Sequence, residues 1–340
     1  MDLSLTYSDI SLVPKKLSTI KSRTEIDTDT NFLGFDLKLP ILSAPMRTVT
    51  GWRMAGALQR KGALGVLHRI EWASEDSDWQ NIINALTNTN PNKWLIPSLP
   101  VTGPLEYTTQ VLYNEYKLRH LCLDIANGYH TLVGEAIQLL KSRFPDLKII
   151  AGNVGSLEGY KYLHEVGADA VRVGIGSGSV CSTSIQTGIG IGQASLVSEI
   201  SDYRFSINKI MPLVIADGGI KEAGDICKAI ALGADVVILG SMLAGTEEAP
   251  GEIIDGKKQF YGEASKGIKG TNGRFVEGVT TLVPFKGPVS NILEEISDGL
   301  RSSMSYMNCR TLNDFRWLDK NSFVQLTQNA RLERLPVTSQ

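Results

Sequence analysis

The sequence predicts an α/β fold, a (β/α)8 TIM barrel, on three observations. Short apolar runs recur along the chain, and there are eight of them. Segments with helix-like patterning separate the runs, as successive βα units require. The runs are continuously apolar rather than alternating, which is typical of strands buried on both faces of a parallel sheet. Eight β–α alternations in one chain favour a closed barrel over a doubly wound open sheet.

Each apolar run ends in small or polar residues, and each is predicted to be one barrel strand. In chain order the runs are LPILSAP from Leu39, ALGVLH from Ala63, WLIPSL from Trp94, HLCLDIA from His120, LKIIAGN from Leu147, AVRVGIG from Ala170, PLVIADGG from Pro212 and DVVILGS from Asp235. The clearest helices are expected in GWRMAGALQRKG (51–62) and TLVGEAIQLLKSRF (131–144).

An internal repeat supports strands six and eight. The stretches EVGADAVRVGIGSGS and ALGADVVILGSMLAG share the pattern G-A-D-x-V-x-x-G. In each copy a glycine is expected to end a helix, a strand follows, and a glycine- and serine-containing loop follows the strand. The two copies therefore indicate equivalent αβ units of one barrel.

Composition narrows the class of protein. The chain has 340 residues, which suits one large domain or two ordinary ones, and the eight βα units lead us to expect a single catalytic barrel domain over 1–340. The net charge of −2 indicates no basic face for nucleic acid or a membrane surface. The amino terminus lacks a secretory pattern and no apolar run is long enough for a membrane span. Four cysteines without paired spacing predict free thiols in a reducing, cytoplasmic setting.

The active site of such a barrel lies at the carboxyl ends of its strands. The residues at those ends are Ala44–Arg47, His68–Arg69, Asp124–Asn127, Asn153, the GSGS loop with Cys181, Asp217–Gly219 and Gly240–Ser241. Glycine-bearing loops follow strands six, seven and eight, where backbone N–H groups can approach a phosphate. Tight turns without a ligand are the alternative explanation.

Cys181 follows the GSGS loop and is the candidate nucleophile, because a thiolate is strongly nucleophilic at neutral pH. Cys122, Cys227 and Cys309 fall in a strand, a helix-like stretch and the carboxyl-terminal region, and are expected to be structural. His120 and His164 are also expected to be structural, and His130 is unassigned. The long glycine-rich segment 245–287 after strand eight predicts a functional lid or a disordered loop.

These motifs occur in an order that resembles the IMP dehydrogenase/GMP reductase family over nearly the whole chain. They are LTYSDISLVP, APMRTVT, LDIANGY, AGNV, VGIGSGSVCSTS, IADGGI, LGSMLAGTEEAPGE, FYGEAS and VPFKG. The resemblance implies the barrel, a purine nucleoside monophosphate as ligand, a nicotinamide cofactor and a homotetramer. It also implies that Cys181 bonds covalently to purine carbon 2, and that a potassium ion binds the carbonyls of Gly176, Gly178 and Cys181.

The reductase branch is the closer of the two. IMP dehydrogenases usually carry a regulatory domain after strand two, and the stretch from His68 to Trp94 leaves no room for one. The lid KGIKGTNGRFVEGV lacks the arginine–tyrosine pair with which dehydrogenases activate water, and Arg274-x-x-Glu277-Gly278 resembles the reductase pattern. The resemblance thus implies NADPH-dependent reductive deamination of GMP to IMP and ammonia.

The resemblance also assigns roles to individual residues. The catalytic residues are Cys181, with Thr183 and Glu277 as a proton relay. The substrate-binding residues are Met46, Ser179, Asp217, Gly218, Gly219, Gly240, Ser241, Gly262, Glu263, Ala264, Arg274 and Gly278. The cofactor-binding residues are His68, Asp124, Asn127, Gly128 and Asn153, with packing as the alternative role of His68.

The chain departs from the family pattern at several positions. Arg47, Ser177 and Ser184 stand where the family usually has aspartate, proline, and arginine or glutamine, and Ile191-Gly192-Gln193 replaces a proline-containing form. Glu263 replaces a methionine that contacts the base, which introduces a charge beside the purine. A modified or deazapurine nucleotide is therefore an alternative substrate. The sequence is also compatible with an IMP dehydrogenase that lacks its regulatory domain, or with a catalytically silent nucleotide-binding protein.

Overall fold

Eight parallel strands close into a barrel, as the sequence predicted. The computed structural model describes residues 3–69, 94–207, 209–262 and 278–333. The barrel strands are β1 (Ile41–Ser43), β2 (Leu64–Leu67), β3 (Leu95–Leu99), β4 (His120–Asp124), β5 (Lys148–Val154), β6 (Ala170–Val173), β7 (Leu213–Asp217) and β8 (Val236–Leu239). Each strand pairs in parallel with the next along the chain, and β8 closes the barrel on β1 through Val237 and Ile41. All eight predicted strands are confirmed.

Helices follow the strands and pack outside the barrel. They are α1 (Trp52–Arg60), α2 (Leu105–Asn114), α3 (Thr131–Arg143), α4 (Leu157–Glu165), α5 (Thr183–Thr187), α6 (Gln193–Ser206), α7 (Ala223–Ala231), α8 (Val289–Tyr306), α9 (Leu312–Arg316) and α10 (Gln328–Leu332). The two helices predicted most clearly are confirmed as α1 and α3. Within the described ranges, no helix is both long and apolar enough to cross a bilayer.

A β-hairpin outside the barrel covers its amino-terminal end. Strands Thr30–Phe32 and Phe35–Leu37 pair antiparallel, and their buried side chains join the apolar residues that fill the barrel interior. His120 belongs to this end: its Nε2 lies 2.8 Å from the carbonyl oxygen of Leu33, and burial lowers its pKa. The structural role expected for His120 fits this position, which is opposite to the strand ends that carry the site.

The internal repeat is visible as two equivalent sets of contacts. Gly167 and Gly233 end α4 and α7 with φ angles of +101° and +109°. The aspartates two residues later, Asp169 and Asp235, accept hydrogen bonds from the backbone N–H groups of Ile149 and Val214 on the preceding strands, at 2.8 and 2.7 Å. The shared G-A-D pattern therefore encodes a glycine in the left-handed conformation that ends the helix. The aspartate that follows it accepts a hydrogen bond from the neighbouring strand.

The chain termini and the segment after β8 contain strands that were not predicted from the sequence. Ile10–Leu12 pairs antiparallel with Phe323–Gln325. Lys257–Tyr261 pairs antiparallel with Thr280–Pro284, and this hairpin lies within the predicted lid. Residues 263–277 of that lid lie outside the described part of the chain. The hairpin places Gly262 and Gly278, which flank those residues, next to the carboxyl ends of the barrel strands.

Candidate active site

A cavity of about 260 Å³ opens at the carboxyl ends of the barrel strands. It contains most of the residues that the sequence assigned to the site. Those that line it are Met46, Asp124, Asn153, Gly176, Gly178, Ser179, Cys181, Thr183, Asp217, Gly218, Gly219, Gly240, Ser241 and Gly262. The fold therefore gathers into one cavity residues that are far apart in the chain, because parallel barrel strands all end at one rim.

Four predicted site residues that the structure describes do not line this cavity. His68 is 1% exposed at the end of β2. Asn127 accepts a hydrogen bond from the N–H of Tyr129 at 3.2 Å, and Gly128 donates to the carbonyl of Asn153 at 2.6 Å. Gly278 forms a backbone bridge with Cys181 at the edge of the cavity. The remaining four predicted residues, Glu263, Ala264, Arg274 and Glu277, lie outside the described residues.

Three loops with glycine converge on one side of the cavity. Gly218 and Gly219 follow β7 with φ angles of +101° and +75°, a backbone region that favours glycine. The N–H of Gly219 donates to the carbonyl of Ser177 at 3.0 Å, and the Ser179 hydroxyl donates to that of Ser241 at 3.1 Å. These bonds join the loops after β6, β7 and β8. The arrangement suits a phosphate group, which backbone N–H groups and hydroxyls bind well.

Two of these glycines also allow close approach between loops. A Cβ on Gly218 would lie 2.4 Å from the Ser177 hydroxyl oxygen, and a Cβ on Gly262 would lie 3.2 Å from the carbonyl oxygen of Val180. A side chain at Gly218 would require the Ser177 hydroxyl to move, and one at Gly262 would require a small shift of the Val180 carbonyl. The loop with Cys181 is thus held between the loop after β7 and the hairpin after β8.

Cys181 is located where a nucleophile would meet a ligand bound by these loops. Its backbone N–H donates to the carbonyl of Gly178 at 3.0 Å, which closes a tight turn. Its thiol donates a hydrogen bond to the hydroxyl oxygen of Thr183, the first residue of α5, at 3.1 Å. The thiol is partly exposed to the cavity. A hydroxyl adjacent to a partly exposed thiol can receive and pass on its proton.

The three other thiols are in a different environment, as predicted. Cys122, Cys227 and Cys309 are all buried. Burial raises the pKa of Cys122, and it raises the pKa of both Cys227 and Cys309 to about 11. These thiols remain protonated and poorly nucleophilic at neutral pH. Cys181 is the thiol placed to react.

The floor of the cavity contains a cluster of charges in which predicted site residues meet Arg172, a residue that sequence reasoning missed. Arg172, on β6, pairs with Asp124 Oδ1 at 2.5 Å and with Asp217 Oδ2 at 2.8 Å. Arg69 donates to the carbonyl of Asp124 at 2.7 Å, and Asn153 donates its Nδ2 hydrogen to Asp217 at 2.8 Å. A signal was present in the sequence: Arg172 interrupts the apolar run AVRVGIG, and a charge inside a buried strand requires a partner.

The predicted potassium ligands suit a monovalent cation. Gly176 and Gly178 each accept one hydrogen bond, from the Ser184 hydroxyl at 3.4 Å and from the N–H of Cys181 at 3.0 Å. A carbonyl oxygen has two lone pairs, so each retains one for an ion. Within the described ranges, no group of three or more His, Cys, Asp or Glu side chains is arranged to hold a metal. The potassium site on these carbonyls stays a prediction.

Comparisons with known proteins agree with the site. The protein-family model of the IMP dehydrogenase / GMP reductase domain matches residues 4–336 of the chain. The chain is 37% identical to a GMP reductase of Bacillus subtilis (strain 168), over 94% of this chain and 96% of that protein. It is 36% identical to a GMP reductase of Clostridium acetobutylicum, over 94% and 95% of the two chains. It is 35% identical to a GMP reductase of Phytophthora infestans, over 96% and 92%. The chain belongs to the IMP dehydrogenase/GMP reductase family.

Proposed function

We propose that the protein is a GMP reductase, an oxidoreductase that converts GMP to IMP and ammonia at the expense of a reduced nicotinamide dinucleotide. The main structural support is the Cys181–Thr183 pair, which lies beside three loops suited to a nucleotide phosphate. Relatives that are named GMP reductases and match almost the whole chain support the same activity. A modified purine as substrate and an IMP dehydrogenase without its regulatory domain are not favoured.

Three groups of residues bind the phosphate, the ribose and the base of GMP. The glycine loops at Gly178, Gly218 and Gly240, with the Ser179 and Ser241 hydroxyls, hold the phosphate. Asp217 accepts hydrogen bonds from ribose hydroxyls, because an ionised carboxylate is an acceptor only. Met46 and Gly262 line the cavity where the base would lie, and Glu263, which lies outside the described residues, is proposed to contribute to base binding. This orientation brings carbon 2 of the purine to the Cys181 sulfur.

The chemistry begins with the thiol. Cys181 loses its proton and its sulfur adds to carbon 2 of the purine, which forms the S–C bond. The exocyclic amine leaves as ammonia once it is protonated, since an amide anion is a very poor leaving group. Thr183 accepts the thiol proton across the 3.1 Å contact, and Glu277 exchanges protons with it in the proposed relay. These steps leave carbon 2 of the covalent intermediate one hydride short of IMP.

NADPH, which we propose as the reductant, would supply that hydride when bound, and the Cys181 sulfur would be the group that leaves carbon 2. Asp124 and Asn153 line the same cavity and are proposed to hold the nicotinamide ribose and amide. A potassium ion on Gly176, Gly178 and Cys181 would order the turn that carries the thiol. We also propose a cytoplasmic homotetramer built from one barrel domain per chain.

The proposed activity is tested with a panel of purine nucleotides. GMP, dGMP, XMP, IMP and 7-deazaguanine nucleotides are each incubated with NADPH or NADH, and nicotinamide absorbance and ammonia release are followed together. We expect GMP with NADPH to give equal amounts of oxidised dinucleotide and ammonia. NAD⁺-dependent oxidation of IMP without ammonia release would instead identify a dehydrogenase, and preference for a 7-deaza substrate would identify a modified-purine reductase.

A further inference from the structure

A single buried arginine joins the two carboxylates that the proposed function assigns to different ligands. The Arg172 side chain is 7% exposed, and those of Asp124 and Asp217 are 14% and 16% exposed. Arg172 Nη1 contacts Asp124 Oδ1 at 2.5 Å, and its Nε and Nη2 contact Asp217 Oδ2 at 2.9 and 2.8 Å. Arg172 extends from β6, whereas Asp124 ends β4 and Asp217 ends β7. The guanidinium therefore links separate parts of the strand-end rim.

The planar shape of the guanidinium makes this link specific. Its N–H groups are held in a rigid fork, so that one edge can serve one carboxylate while the adjacent edge serves the other. A lysine ammonium is a point charge and cannot reproduce both contacts with the same geometry. Burial opposes the charge, yet Asp217 and Asp124 outweigh it and hold the pKa of Arg172 well above its ordinary value. The arginine therefore remains charged at neutral pH.

The other residues near Asp124 and Asp217 compensate the two negative charges less well than Arg172 does. Asn153 gives Asp217 one uncharged hydrogen bond, at 2.8 Å. Arg69 is the second cation near Asp124, but its Nε lies 3.7 Å from Asp124 Oδ2 and its side chain is 34% exposed. Removal of Arg172 would thus leave two nearby, largely covered carboxylates with little compensation. Two carboxylates this close, without the arginine between them, repel each other.

We propose that Arg172 is a positioning residue that couples the two halves of the site energetically. The inference rests on the proposed function, in which Asp217 binds the GMP ribose and Asp124 binds the dinucleotide. When a ligand donates hydrogen bonds to one carboxylate, the ion pair of that carboxylate with Arg172 changes in strength. The ion pair of Arg172 with the other carboxylate then changes as well. GMP binding and NADPH binding are therefore linked through Arg172, and by thermodynamic reciprocity each ligand alters the affinity of the other by the same factor.

The test measures the affinities for GMP and NADPH in a variant that cannot carry out the reaction. In Cys181→Ala protein, the dissociation constants of GMP and NADPH are measured separately, and each is measured again with the other ligand saturating. Asp124→Asn is then added. We expect it to weaken GMP binding by about 5-fold or more, although it lies on the dinucleotide side, and to reduce the coupling factor between the ligands.

A double-mutant cycle assigns this cross effect to the arginine. In an Arg172→Lys background, Asp124→Asn should change GMP affinity by less than about twofold, because the bridge is already impaired. Arg172→Gln should abolish the coupling factor, with Arg172→Lys intermediate. Arg204→Lys is the matched control, since Arg204 is 11% exposed and pairs with Asp235 at 2.9 Å away from the cavity. The control should leave both affinities unchanged.

Three outcomes would overturn the proposal. If Asp124→Asn weakens NADPH binding and leaves GMP binding unchanged, Asp124 and Asp217 act independently. A cross effect that persists unchanged in Arg172→Lys would show direct contact of Asp124 with GMP rather than transmission. If Arg172→Lys lowers thermal stability as much as Arg204→Lys does and the coupling factor is unchanged, the ion pairs of Arg172 have only a structural role. Absence of GMP binding to the Cys181→Ala protein itself would instead refute the proposed function, and the coupling with it.

Discussion

The Cys181 thiol donates a hydrogen bond to the hydroxyl of Thr183 at 3.1 Å. The two residues lie on either side of the start of α5, so the helix start fixes the hydroxyl relative to the sulfur. The thiol is partly exposed to the cavity, whereas the three other cysteines are buried. This contact connects the candidate nucleophile with a group that can move its proton.

Cys181→Ala is expected to abolish reduction of GMP while retaining GMP binding, because the glycine loops that are proposed to hold the phosphate are unchanged. Loss of the sulfur removes the covalent route altogether. Steady-state turnover and GMP affinity by calorimetry check this expectation. Cys227→Ala, at a buried thiol on α7 away from the cavity, is the matched control and should retain turnover. Normal turnover by Cys181→Ala would rule out covalent catalysis through this thiol.

Thr183→Val keeps the shape of the side chain but removes the hydroxyl. Proton transfer by a positioned group contributes roughly 10²–10⁴-fold, so kcat should fall by about that range with little change in GMP affinity. Thr183→Ser retains the hydroxyl and should recover most of the rate. Glu277→Gln should slow ammonia release to a similar extent if the proposed relay operates. Unchanged ammonia release in Thr183→Val would exclude the hydroxyl from proton transfer.

Glu263→Met restores the residue usual in the family at a position that follows Gly262, which lines the cavity. A carboxylate beside a purine must be hydrogen-bonded, ion-paired or neutral. If Glu263 accepts from the N–H groups of a guanine-like base, the variant should shift kcat/KM among GMP, dGMP and 7-substituted deazaguanine nucleotides by more than about tenfold. Ratios within about twofold of the original would favour an ion pair of Glu263 with Arg274 or Lys266.

Potassium is expected to raise the rate through the turn that bears Cys181. Replacement of K⁺ by choline or Li⁺ should lower kcat by roughly tenfold or more, since misplacement of a reacting group by about 1 Å costs about 10²-fold. Potassium should restore the rate, and the rate of Cys181 alkylation by iodoacetamide should respond to the same titration. Equal rates of turnover and alkylation in K⁺ and choline would argue against a cation at Gly176 and Gly178.

Asp235→Asn is expected to destabilise the fold without affecting the site. Asp235 is 8% exposed and lies 2.9 Å from Arg204 and 3.6 Å from Arg316, so the variant leaves two buried cations without their carboxylate. Breaking a buried pair costs about 3–5 kcal/mol, which urea unfolding would measure. Asp202→Asn, in an exposed pair with Lys320, should cost less than about 1 kcal/mol. Equal losses in the two variants would contradict this assignment.

The strands of the barrel were predictable because burial on both faces leaves a continuous apolar run for each of them. All eight predicted runs contain a strand in the structure. The repeat around Gly167 and Gly233 was predictable for a related reason, since a left-handed helix end favours glycine wherever it occurs. The residues at the strand ends followed directly, because a closed parallel barrel brings all its carboxyl ends to one rim.

The two hairpins outside the barrel were not predictable in the same way. Thr30–Phe32 with Phe35–Leu37, and Lys257–Tyr261 with Thr280–Pro284, are short strands that pair locally or across a long insertion. Their apolar residues are too few to form a periodic pattern. Each is stabilised by what it packs against: the first by the barrel interior, the second by the loop with Cys181.

Local residue patterns and the order of strands suffice to predict the barrel, the rim on which the site lies and the cysteine placed to react. Which polar groups meet beneath that rim depends on the folded chain. His68 lies at a strand end yet is buried and does not line the cavity, whereas Arg172, in the middle of a strand run, joins Asp124 and Asp217. Such contacts depend on side-chain direction and on distances across the barrel, which spacing along the chain does not specify.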